Sequence, residues 1–131
     1  MHVMHDHFSN SLPPVVVGAS LAALQLISEG RALREQLRRN TQFFRAAMAR
    51  AAFDILPGEH PIVPVMFGDA SRAVRMAERL LELGVYVVAF SFPVVPMDRA
   101  RIRCQVSAAH TQDELAFAVH AFEQARAEVA P

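Results

Sequence analysis

The sequence predicts an α+β fold, a small three-stranded, mainly antiparallel sheet covered by helices and preceded by a long helical arm. Three observations predict it. The elements run helix, helix, strand, helix, strand, strand, helix; the β-rich runs are short; and each helical stretch has an apolar face that must be buried against another layer. No internal repeat or low-complexity segment complicates the order.

The first helix is expected over 14–29. Val17, Leu21, Leu24 and Ile27 recur at helical spacing, Val16, Ala23 and Leu26 widen the face, and Gly30 suits the C-terminus. A second helix over 31–53 carries Leu33, Leu37, Phe43, Phe44, Ala47 and Met48 as its apolar stripe, and the two could join into one long, bent arm. Leu56, Pro57 and Gly58 end it. A buried strand over 62–67 follows, with Pro64 arguing for a sheet edge or a bulge. Asp69 or Ser71 can cap the next helix, which carries Val74, Met76, Ala77, Leu80, Leu81 and Leu83 and stops at Gly84. The β-branched and aromatic run 85–90 and the alternating run 100–106 read as strands, joined by a loop over 91–99 that Pro93 and Pro96 stiffen. Thr111 and Glu114 have capping-box spacing and open a last helix through Leu115, Phe117, Ala118, Phe122 and Ala125. The sheet's second face has nothing in the sequence to cover it. The expected organisation is a leader over 1–7, a helical arm over 8–53 and an α/β subdomain over 54–131, one domain in all.

Composition narrows the chemistry. At 53% hydrophobic, with 13 basic against 13 acidic residues, the chain is neither disorder-prone nor electrostatically suited to nucleic acid. All thirteen basic residues are arginines, so no lysine amine is present to form a Schiff base. The single cysteine, Cys104, excludes an intrachain disulfide and reads as a small buried strand residue, which suits a reducing, cytoplasmic setting. The apolar stretch 12–27 is shorter than the ~20 residues of a membrane span, and the leader lacks the basic residues of a signal peptide, so no membrane is expected.

Few residues suggest chemistry directly. Arg101 and Arg103 lie two apart on a strand and share a face, where a guanidinium can be solvated, structurally paired, or bound to a carboxylate through two parallel hydrogen bonds. His110, in the tract Ser107-Ala108-Ala109-His110-Thr111, is a packing or capping residue or a base. His2, His5 and His7 are soft metal donors, but on a short leader expected to be mobile they lack supporting partners, and no metal site is expected.

The stretch from Phe92 to Thr111, FPVVPMDRARIRCQVSAAHT, resembles the C-terminal signature of the 2-amino-3-ketobutyrate CoA ligase (glycine C-acetyltransferase) family, and FSNSLPP from Phe8 to Pro14 resembles the segment following that family's cofactor domain. LxxLGVYVxxFxFPVVP, from Leu80 to Pro96, is similar as well. The resemblance covers Phe8 to the C-terminus and extends to the wider α-oxoamine synthase family of fold type I pyridoxal-phosphate (PLP) enzymes, of aminotransferase class I/II type. It implies a dimeric acyltransferase condensing glycine with acetyl-CoA, in threonine catabolism. It implies that Arg103 binds the amino-acid carboxylate, that Ser9 and Asn10 reach the PLP phosphate of a neighbouring subunit, and that 93–96 lines the substrate entrance. Arg101 and His110 are left structural.

The departures count equally. The family's PLP lysine, pyridine-nitrogen aspartate and ring-stacking histidine lie upstream of FSNSLPP, and Met97-Asp98-Arg99 replaces the usual Lys-Gly after PVVP. The expectation is therefore a C-terminal fragment that binds no PLP and catalyses nothing alone, and works with a cofactor-bearing homologous chain or with itself as a dimer. The alternatives are a non-catalytic module that docks on a full-length homologue or pairs with itself through the face a large domain would cover, and a gene fragment without function.

Overall fold

A computed structural model describes residues 1–3 and 19–130. Its elements are β1 (His2–Val3), α1 (Ala19–Arg50), β2 (Ile62–Gly68), α2 (Ala70–Glu82), β3 (Val85–Tyr86), β4 (Val88–Phe90), β5 (Ala100–Gln105) and α3 (Gln112–Glu128). β2, β5 and β4 form an antiparallel sheet in that order, and β1 pairs antiparallel with β3 in a second, two-stranded one. The α+β class is as expected.

Pro64 explains why β2 sits at an edge. Its backbone faces away from β5, so the N–H it lacks is not needed by the ladder, while its carbonyl accepts from Leu56 N–H at 3.1 Å. The 54–56 segment covers this edge, with Met66 N–H donating to the Asp54 carbonyl at 2.7 Å, and the pairing shifts between Met66 and Gly68. Edge and bulge are thus both present.

The alternation of β5 sorts its side chains. Ile102 and Cys104 are fully buried, as are Val63 and Val65 of β2, and α2 and α3 close over them with Met76, Leu80, Leu115 and Phe122. Phe122 meets Phe53 edge to face at 5.5 Å. Asp69 caps α2 through the Arg72 N–H, and Gly84, at φ 102°, ends it in the left-handed conformation that favours glycine. Thr111 and Glu114 form the expected capping box of α3.

Four expectations need correction. Gly30 does not end a helix: the two expected stretches join in α1, the continuous-arm alternative. An interior glycine costs only about 1 kcal/mol against alanine, and the helix-forming residues from Arg31 to Leu37 continue without a proline. The helix stops at Arg50, three residues before the expected end, because Ala52 adopts φ 64° and Phe53 and Ala52 N–H bond back to the carbonyls of Met48 and Ala49. Run 85–90 is two strands meeting at the buried Val87, since its first half pairs with β1 and its second with β5. The leader, expected to be mobile, places Val3 in the core at 2% exposure, with the Met1 amine donating to the Gln105 carbonyl at 2.8 Å.

The two ends of α1 differ. Phe44 and Met48 are buried against α3, whereas Leu21, Leu24, Leu26, Ile27 and Leu33 are exposed. No helix among the described residues is long and apolar enough to cross a membrane.

Candidate functional site

Alternation leaves Arg101, Arg103 and Gln105 on the face of β5 opposite the core, and Tyr86, Val88 and Phe90 on the same side. Arg103 lies opposite Val88 on one neighbour and Pro64 on the other, and Arg101 lies opposite Phe90 and Met66. The Arg103 side chain leans diagonally, toward the start of β5 and the proline loop 91–99, and lays its guanidinium over the Phe90 ring at 4.8 Å from the centroid. Arg101 is turned aside, its Nε donating to the Arg99 carbonyl at 3.1 Å. Among the described residues no carboxylate pairs with Arg103.

Arg103, Phe90, Gln105, Tyr86, Met1 and the β1 residue His2 line a cleft of about 360 Å3. The Met1 amine lies close by, though burial lowers its pKa and works against its charged form. A cleft whose fork donor is unpaired among the described residues, with an aromatic wall and no acid on its described lining, is suited to a small carboxylate.

His110 occupies a different place. Its Nδ1 accepts from the Ser107 N–H at 2.9 Å, so Nε2 carries the proton and donates to the Met1 carbonyl at 2.9 Å. Beneath it the buried Asn40 amide donates to the carbonyls of Ser107 at 2.9 Å and His110 at 2.8 Å, and Gln36 donates to the Asn40 side-chain oxygen. Burial pushes the imidazole pKa down and keeps it neutral. With both ring nitrogens occupied, His110 ties β1, the small-residue junction and α1 together, and neither nitrogen is available as a base.

Cys104 is buried, and desolvation raises its thiol to about 12, so it is no nucleophile at neutral pH. Among the described residues no three His, Cys, Asp or Glu side chains converge on a metal position. Ser9, Asn10, His5 and His7 lie outside the described residues. PLP does not fit the residues present, because the sequence has no lysine to hold it.

Reading the sequence missed Phe90 as the partner of Arg103 and Tyr86 as a cleft wall. As alternate strand residues Tyr86 and Phe90 fall on one face, but only the folded chain shows that Arg103, not the directly opposite Arg101, lies over the Phe90 ring.

The family model for aminotransferase class I and II matches residues 2–122. The human mitochondrial 2-amino-3-ketobutyrate coenzyme A ligase is 47% identical over 115 residues, which cover 88% of this chain and 27% of the relative. The Escherichia coli (strain K12) enzyme of that name is 46% identical over 115 residues, covering 88% and 29%. Among solved structures, a serine palmitoyltransferase from S. paucimobilis with a bound PLP–myriocin aldimine superposes at a TM-score of 0.72, with 28% identity, over 92% of this chain and 31% of that one. The chain therefore spans less than a third of the length of these relatives. From the family match over nearly its whole length, this chain belongs to the aminotransferase class I and II family.

Proposed function

We propose that the chain is the carboxylate-binding C-terminal portion of a PLP-dependent acyltransferase that condenses glycine with acetyl-CoA, the reaction implied for the ketobutyrate ligases it resembles. The carrying observation is Arg103, unpaired among the described residues and stacked on Phe90 on the open face of the sheet. Two parallel N–H donors from its guanidinium hold the glycine carboxylate, and the open face is where a larger portion closes and excludes water. PLP and the lysine that carries it come from outside these 131 residues, on the same polypeptide or another, and Ser9 and Asn10 reach toward the cofactor phosphate of a neighbouring subunit. The setting is a dimer in the cytoplasm, in threonine catabolism. The test mixes the chain with the cofactor-bearing portion of a homologous ketobutyrate ligase and follows glycine-dependent release of CoA. Activity in the mixture, lost with Arg103→Ala, is the expected result; product formation by the chain alone contradicts the proposal.

A second reading is favoured by the exposed leucines of α1 and the open sheet face, an association module without chemistry that docks on a full-length homologue. It predicts binding without activity. A monodisperse monomer by light scattering, with no affinity for the homologue, rules it out.

A further inference from the structure

We propose that Phe90 is the positioning residue for Arg103, holding its guanidinium over the ring, 4.8 Å from the centroid, so that its N–H donors stay free for a carboxylate; this rests on the carboxylate reading of the site. Arginine is a long, mobile side chain, and a fork donor binds two oxygens only when its plane is set. Stacking sets the plane and consumes no donor, because the ring engages the guanidinium face while all five N–H groups point outward in that plane.

Three placements support the assignment. Phe90 lies directly across from Arg101, one diagonal step from Arg103, so the 4.8 Å stack bends Arg103 along the sheet toward loop 91–99 and does not leave it pointing straight into solvent. Arg101, the nearer competitor for the ring, is held aside by the Arg99 carbonyl. The residues opposite Arg103 itself, Val88 and Pro64, offer no polar group that would orient it in place of the ring. Phe90 is only partly buried, and Phe90→Leu removes the π-face while keeping an apolar side chain there.

The experiment is NMR of the whole chain, following the Arg103 Nε–H signal during titration with glycine, with methylamine as the carboxylate-free control. The signal in the unaltered chain should be ring-current shifted and should move saturably with glycine alone. In Phe90→Leu it should return to the ordinary arginine position and the apparent Kd should rise roughly two- to fivefold, while Phe90→Tyr should restore both. Unchanged signals from Ile102 and Val65 identify variants whose fold is intact. An Arg103 signal that responds to glycine equally in the unaltered chain and in Phe90→Leu overturns the positioning role alone. One that ignores glycine in the unaltered chain overturns the carboxylate reading, and the positioning role falls with it.

Discussion

On one face of β5, Ile102 and Cys104 are sealed beneath α2 and α3; on the other, one residue away in each direction, Arg103 and Gln105 look into an open cleft. The backbone is shared, so the difference lies in what packs on each face. The sealed face carries stability, because each side chain there has exchanged water for close-packed neighbours. On the open face the Arg103 guanidinium lies over the Phe90 ring and, among the described residues, no carboxylate pairs with it; recognition of a carboxylate is what we propose for it.

Substitutions should separate the two faces. The largest effect is expected from Phe122→Ala, which empties a fully buried site and should cost about 3–5 kcal/mol in urea unfolding, with an unchanged m-value. A cost below about 1 kcal/mol would mean that α3 is not tightly packed on the sheet.

Cys104 sharpens the comparison through pH. Its folded pKa of about 12 lies above the ordinary 9.0, so its contribution to stability is fully present below pH 9 and is lost as pH rises from there toward 12. The limiting slope is about 1.4 kcal/mol per pH unit. Cys104→Ala should flatten this alkaline slope, and the native thiol should resist thiol reagents at pH 8.

His110 behaves in the opposite sense at the end of the sheet where β1 joins. Its folded pKa is depressed below the ordinary 6.5, so its contribution is present above pH 6.5 and is lost as pH falls through the folded value. Hydrogen exchange at Val3 and Val85 should quicken on acidification in the unaltered chain, and His110→Gln should abolish that pH dependence. The smallest effect on stability belongs to the open face, where Arg103→Ala should change unfolding free energy by no more than about 0.5 kcal/mol while removing the response to glycine.

Much of this was legible in the residues. Alternation in Arg101 to Val106 points to the two faces of β5, Pro64 to an edge or a bulge, and Asp69, Gly84, Thr111 and Glu114 to helix ends, because their local hydrogen bonds need no tertiary partner. What escaped depends on partners distant in sequence. Run 85–90 divides because β1, some eighty residues earlier, takes its first half. The end of α1 was hidden because alanine, not glycine, occupies the left-handed position at residue 52. Gly30 was over-read, since a glycine inside a helix is a modest cost that flanking turns can outweigh. In the site, the resemblance of RARIRCQVSAAH points to Arg103, whereas its contact with Phe90 shows only in the folded chain, because the register sets Phe90 opposite Arg101 and Arg103 reaches it diagonally.

We propose that these residues supply a carboxylate site and not the cofactor's lysine. The most direct test is a PLP titration followed at the aldimine absorbance band, on the chain alone and then mixed with a full-length ketobutyrate ligase homologue. The account predicts no protein aldimine on the chain alone and an altered cofactor band or activity in the mixture. A stable aldimine on the chain by itself, located by borohydride reduction and peptide mapping, would contradict it.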